Sequence, residues 1–389
     1  MARNKMKICA IICEYNPFHN GHLYQLRQAK RLSGADAVLC IMSGNFVQRG
    51  DAAILEKYTR AKHAVLAGAD AVIELPVPFS TSNAELFAKG AVKLLSSIPC
   101  VTHLCFGAEN ANKTAFLLAA KYLNNEPEEV SKKIKAAVAD GMSYAKARAQ
   151  AFAGFIPLDL LSSPNNILGL EYTRALLSQN SNIQILPVAR IGSAYNDEEL
   201  KDGYSSASAI RAAIASNADV GENLPEFVKI DLPKQTKTTL DLLEKFAVLS
   251  TDKDVLAQTC DCTEGLENAF KKAATLTETL EETLTSARYT SSRIRRIALQ
   301  NLLQIRESFV RACLCSPLYL RVLAIAKNRN DVLTALSESE YPLLVRAHDE
   351  DGLTEIAKAC YEKELFSEKV YGLLYKNVKS KNIFIGKDK

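Results

Sequence analysis

Five short apolar runs in the first half of the chain alternate with helical stretches, and this alternation narrows the possible folds more than any other feature. The runs are Ile8–Cys13, Ala37–Met42, Ala71–Leu75, Val101–Phe106 and Ile183–Val188. Each is nearly continuous in apolar residues, as expected of strands buried on both faces. Helical patterns lie near Leu23–Leu32, Tyr58–Ala67, Ala84–Ser96, Thr114–Tyr122, Pro127–Ala139, Tyr144–Ala153 and Leu168–Ser178. Such alternation predicts an α/β domain with a parallel sheet covered on both faces, here spanning 1–215. A polar, Pro-bearing linker follows between Pro225 and Pro233. Beyond it β-like runs become few. Helical stretches such as Leu240–Leu249, Leu266–Leu276 and Ile294–Ala312 predict a second, all-α domain over 216–389.

Composition sets outer limits. The 389 residues are 48% hydrophobic and 24% charged, which suits two or three globular domains. With 48 basic and 44 acidic residues the net charge is only +4, so a nucleic-acid surface requires local clustering. The 10 cysteines read as small core side chains in a reducing compartment. Cys260-Asp261-Cys262 and Cys313-Leu314-Cys315 have C-x-C spacing and no nearby histidine, so no metal site is expected from them. No segment approaches the ~20 apolar residues of a membrane helix. The basic start, Met1 to Lys7, leads into a short strand rather than a signal peptide, and a cytoplasmic location is expected.

The chemistry concentrates in Glu14-Tyr15-Asn16-Pro17-Phe18-His19-Asn20-Gly21-His22, between the first strand and the first helix. In an open α/β sheet this crevice, at the carboxyl end of a strand, binds nucleotides. A helix N-terminus there offers free N–H groups to a phosphate. Gly21 permits close backbone approach, and His19 and His22 suit charge stabilisation during displacement at phosphorus. A histidine pair that merely caps the helix is the bland alternative. The chemistry implied is adenylyl transfer from ATP.

Further segments along the chain offer contacts to the site or only architecture, and the first of them lies on the same sheet edge in this topology. Met42 to Asp51 offers Ser43, Asn45, Gln48 and Arg49 as donors to phosphate, carboxylate or base, or else is an exposed loop. Lys57 and Arg60 open the next helix, either near the site or solvated. Gly68 to Pro76 reads as architecture, while Gly107 either admits a ribose or adenine or only makes a turn. Asn165 and Asn166, after Pro164, suggest an N-cap, the alternative being an amide that reads a base edge or a substrate carbonyl. Arg190 ends the last strand, facing phosphate or solvent. Ser205, Ser206 and Arg211 make a second phosphate cradle or a Ser-capped helix.

The His19–His22 turn resembles the signature of the nucleotidylyltransferase superfamily, and Ser205–Arg211 resembles the I-S-S-T-x-I-R element of those enzymes. Together with Ser43–Asp51, Gly68–Pro76, Phe106–Glu109 and Pro164–Tyr172, these strings resemble the tRNA(Met) cytidine acetate ligase family; Ala52-Ala53 departs slightly, Pro-Ala being expected there. The resemblance implies a Rossmann-like nucleotidylyltransferase domain followed by an all-α tRNA-binding domain. It implies a ligase that activates acetate with ATP as acetyl-adenylate, releasing pyrophosphate, and acetylates N4 of the wobble cytidine of elongator tRNA(Met). It places ATP along Ile12, Cys13, Glu14, Tyr15, Asn16, Pro17, Phe18, His19, Asn20, Gly21, His22, Leu23, Tyr24 and Gln25, with Gly107, Asn165 and Arg190 as further contacts. His19 and His22 would be catalytic, and Mg2+ is expected to accompany ATP, although no carboxylate pair marks a site for it.

Between Arg288 and Arg329 lie nine basic residues and one acid, Glu307. A second basic group comprises Lys376, Lys379, Lys381, Lys387 and Lys389. Such clusters suit an RNA backbone, with Arg293, Arg295 and Arg296 as candidate tRNA contacts, although a charge run can also be a solvated face. Two rival readings are an adenylyltransferase acting on a small phosphate-bearing metabolite and an RNA-binding protein that retains an ATP fold.

Overall fold

The computed structural model describes residues 6–191, 200, 203–232, 239–346, 348–375 and 383–385. The second basic group, Lys376 to Lys389, lies outside the described residues.

The alternation of strands and helices builds the expected sheet. Its strands are β1 (Ile8–Cys13), β2 (Ala37–Ser43), β3 (Ala71–Leu75), β4 (Val101–Ala108) and β5 (Gln184–Ala189), all parallel, in spatial order β3-β2-β1-β4-β5. The main helices are α1 (Asn20–Ser33), α2 (Lys57–Ala67), α3 (Ala84–Ser96), α4 (Pro164–Ser178) and α5 (Ala207–Ala215). Successive side chains point to opposite faces of a strand. Ile8, Ala10 and Ile12 therefore enter one core with Leu39, Ile41 and Ile73. Cys9, Ile11 and Cys13 enter the other with Val38, Cys40 and Val72. The strand cysteines are thus core side chains; Cys315 alone among the described cysteines is exposed.

The chain beyond 216 is helical over most of its length. A bundle with its own core of Val248, Phe270, Ile294 and Ile297 includes α6 (Ser291–Leu302). The stretch Ile294–Ala312 is two helices rather than one, broken where Gln304 takes φ 56°. One departure from helix stands out. Leu320–Ala326 is a strand, β6, antiparallel to β3 in the main sheet, followed by α7 (Glu355–Leu374) and a parallel strand β7 (Ile383–Ile385). β6 is a continuous run of Leu, Val, Ile and Ala interrupted by a single arginine, which suits a strand covered on both faces. The bundle is therefore inserted between strands of one sheet.

Candidate active site

At the carboxyl ends of β1 and β4, where the strand order reverses, lies a cleft of about 430 Å³. Its base is the turn from β1 into α1. His19 is the N-cap of α1 and His22 its third residue. His19 Nδ1 accepts the Gly21 backbone N–H at 3.0 Å, and His22 Nδ1 accepts that of His19 at 3.3 Å. The two rings stack at 3.7 Å. A Cβ on Gly21 would stand 2.8 Å from His19 Cε1, so glycine here makes room for the capping ring. The histidines both cap the helix and line the cleft.

This geometry sets the protonation state. With Nδ1 accepting, each neutral ring carries its proton on Nε2 and can donate there. Burial, then Arg190 and Arg211, hold His19 down to about 3; burial, His19 and Arg190 keep His22 well below the ordinary histidine value. Charge in the cleft comes from Arg49, Arg190, Arg211, Arg295 and Arg296 instead. Glu14 is the single carboxylate among the described lining residues.

Neighbouring elements hold the turn. Arg211, one turn into α5, donates to the Asn16 carbonyl at 2.8 Å. Ser206 caps α5 by accepting the Ala209 N–H at 3.0 Å, and Ser205 N–H donates to Asn223 Oδ1 at 2.7 Å. Glu14 accepts the Gln48 N–H at 2.8 Å. Asn165 and Asn166 do not cap α4: the N-cap is Ser163, and Glu109 instead receives the Asn165 side chain at 2.6 Å and the Asn166 N–H at 3.0 Å.

Of the residues singled out for ATP, Ile12, Cys13, Glu14, Tyr15, Asn16, His19, His22 and Gln25 line the cleft with Gly107, Asn165 and Arg190. Gly21, Tyr24 and Ser205 border a narrow annex of about 30 Å³. Pro17, Phe18, Asn20 and Leu23 are not on either lining; Phe18 is core, and Asn20 donates to the Gly203 and Glu222 carbonyls at 3.0 and 2.6 Å. Gln48, Arg49, Ser206 and Arg211 are on the cleft. Ser43 and Asn45 are buried off it, where Asn45 Oδ1 accepts the Lys57 N–H at 2.8 Å.

Lys57 and Arg60 are fully buried rather than solvated. Arg60 latches the site loops by donating to the carbonyls of Glu14, Ser43, Gly44 and Leu55. Lys57 pairs with Glu74 and Glu368, each at 2.6 Å, and Arg321 of β6 joins Glu74, Glu364 and Glu368 at 2.8 to 3.1 Å. Burial and the Glu74 charge push Glu364 up to about 8 despite the cations beside it.

The basic run disperses in space. Arg321 lies inside the sheet, Arg329 pairs with Asp70 and Asp331, and Arg288 with Glu264. Arg293 donates to the Asp261 carbonyl at 2.8 Å and Thr263 at 2.8 Å, off the cleft. Arg295 and Arg296 line the cleft together with Ser291 and Ser292, which the sequence alone did not single out. Phe87, Phe106, Leu168 and Tyr172 form its apolar side. Phe106, Leu168 and Tyr172 lie in strings that the sequence offered, and Phe87 in a predicted helix, but none of the four was singled out as a site residue.

A family model described as HIGH Nucleotidyl Transferase matches residues 6–383. The tRNA(Met) cytidine acetate ligase of Acetivibrio thermocellus is 35% identical over 404 residues, covering 96% of each chain. The one from Thermoanaerobacter pseudethanolicus is 38% identical, again over 96% of each. The chain belongs to the tRNA(Met) cytidine acetate ligase family. Among solved structures, apo TmcAL of Thermotoga maritima superposes with a TM-score of 0.89 at 28% identity, covering 98% of this chain and 100% of that one. The same protein bound with alpha-thio ATP gives a TM-score of 0.86. The family assignment agrees with a cleft built around the His19–His22 turn, and no described helix is long and apolar enough to cross a membrane.

Proposed function

We propose that this protein is a cytoplasmic ATP-dependent ligase that activates acetate as acetyl-adenylate and acetylates N4 of the wobble cytidine in elongator tRNA(Met). The observation that carries the reading is the pair of neutral Nε2–H imidazoles at the start of α1, sharing one cleft with five arginines. In the first step an acetate oxygen bonds to the α-phosphorus and the bond to the pyrophosphate oxygen breaks. Preorganised donors aimed at the developing charge favour that displacement. His19 and His22 act as such donors without losing a proton, because burial keeps them neutral. Arg190 and Arg211 supply the positive field. In the second step the N4 nitrogen attacks the acetyl carbon, one amine proton departs and AMP leaves. The cytidine amine is a weak nucleophile, so positioning dominates. Mg2+ enters as part of the ATP substrate; the described lining offers it only the Glu14 carboxylate, and no step is assigned to it.

The test uses purified protein, labelled acetate, ATP with Mg2+ and bulk bacterial tRNA. ATP-dependent label in tRNA, recovered as N4-acetylcytidine, is the expected result. No transfer together with silent acetate-dependent pyrophosphate exchange would overturn the reading.

A further inference from the structure

The cleft has a second wall that the nucleotide half of the fold does not supply. Ser291, Ser292, Arg295 and Arg296 all belong to the opening turns of α6, on the inserted bundle. The N-cap Thr290 makes no side-chain capping bond, so the first-turn N–H groups of this 12-residue helix lack that partner. The three neighbouring arginines differ in commitment. Arg293 is spent on Asp261 and Thr263. Arg295 holds the Arg49 carbonyl at 3.2 Å and pairs with Glu281 at 3.3 Å and Asp51 at 3.7 Å. Arg296 reaches Asp261 only at 3.5 Å, its side chain is 11% exposed, and its buried Nε has no partner. An unpaired buried donor on a cation costs free energy that an incoming oxyanion would recover.

We propose that Ser291, Ser292 and Arg296 form the docking site for one backbone phosphate of the acceptor RNA, holding the cytidine strand across the cleft from His19 and His22. This rests on the ligase reading. One guanidinium, two hydroxyls and a helix N-terminus match a phosphodiester carrying one charge. On the ligase reading the ATP phosphates fall to Arg190, Arg211 and the start of α1, which belong to the nucleotide half of the fold. Contacts of this kind position the RNA and leave base identity to other groups.

Steady-state acetylation of tRNA by R296Q, R296K and the double variant S291A/S292A tests this, with KM measured for tRNA, ATP and acetate separately. For R296Q the KM for tRNA should rise about ten-fold or more. The slope of log KM against log salt should shrink by about one contact. R296K should recover part of the loss, and the serine variant, which leaves the Asp261 pair in place, should show a smaller rise of the same kind. R311A, at an exposed arginine paired with Glu307, should match the unaltered enzyme. A rise in the KM for ATP or acetate with the tRNA value unchanged would assign the site to the other substrates and overturn the proposal. Unchanged tRNA values in all three variants would do the same. An unaltered enzyme that transfers no label would overturn the ligase reading itself, and this inference with it.

Discussion

The two walls of the cleft are built from contacts of opposite range. On the nucleotide wall, His19 and His22 are fixed by hydrogen bonds spanning two and three residues. On the inserted wall, Arg295 holds a carbonyl 246 residues earlier in the chain. A short-range site is a property of a local string, whereas a long-range one exists only after the sheet and the bundle have met. The nucleotide wall should therefore tolerate damage to the insertion, and the insertion should not tolerate damage to the loop that joins them.

That loop, 44–51, rests on the buried pairs of Lys57, and removing this cation should give the largest effect. Lys57→Met leaves Glu74 and Glu368 facing Arg321 alone in the sheet interior. An uncompensated buried charge costs about 3–5 kcal/mol. Urea unfolding should show that loss. A cost below about 1 kcal/mol would mean that the network relaxes freely, and that the two walls do not share a foundation.

The next effect belongs to the nucleotide wall alone. His22→Ala should lower acetate-dependent pyrophosphate exchange and tRNA acetylation together, by about 10²–10³-fold, the usual loss for one preorganised donor. An exchange rate that survives while transfer fails would move the histidines to the second step. The same buried rings give a signed pH dependence. His19 is held near 3 when folded and titrates near 6.5 when unfolded, so below 6.5 the unfolded chain binds more protons. Stability from this group is fully present above 6.5 and is lost as pH falls towards 3; His19→Gln should flatten that part of the unfolding profile.

The same contrast explains what the sequence disclosed. β1 and β3 were legible to the residue, because buried parallel strands are continuous apolar runs. The turn and its histidines were legible for the same local reason. β6 was not: its seven residues sit among helices, and only pairing with β3 makes them a sheet strand. Nor were the partners of the basic run, since Glu74 and Asp70 lie more than two hundred residues before it, and Asp261 and Glu281 reach it only through the packing of the bundle. Nine basic residues beside one acid looked like a surface stripe, and folding brought acids to most of them. Lys57 and Arg60 carried no sign of burial, because their partners arrive from β3, α7 and the site loops.

Gly50 sharpens the comparison at the point where the walls touch. It sits at φ +78°, and a Cβ there would stand 2.5 Å from both Arg295 C and Arg296 N, backbone atoms that cannot swing aside. Gly50→Ala adds left-handed strain of about 1–2 kcal/mol to that clash. The bundle should be pushed off the loop, so tRNA acetylation should fall about ten-fold in kcat/KM. Exchange of pyrophosphate should change far less, since Gly50 does not line the cleft. Equal losses in both assays would show that the insertion also shapes the nucleotide wall.

The smallest effect tests a residue that the sequence offered as a phosphate contact. Asn45 is buried off the cleft, and its Oδ1 accepts the N–H of Lys57, the first residue of α2. The first N–H groups of a helix have no partner within it, so this bond satisfies one of them. Removing it should cost about 1 kcal/mol of stability. In Asn45→Ala the KM values for ATP and acetate should stay near those of the unaltered enzyme, because the lost bond belongs to the helix and not to a ligand. A raised KM for ATP without loss of stability would return Asn45 to the cleft, and would mean that the joining loop shifts when substrate binds. The ratio of the two effects thus decides whether Asn45 serves only to hold the start of α2 or joins Gln48 and Arg49 as a ligand contact of that loop.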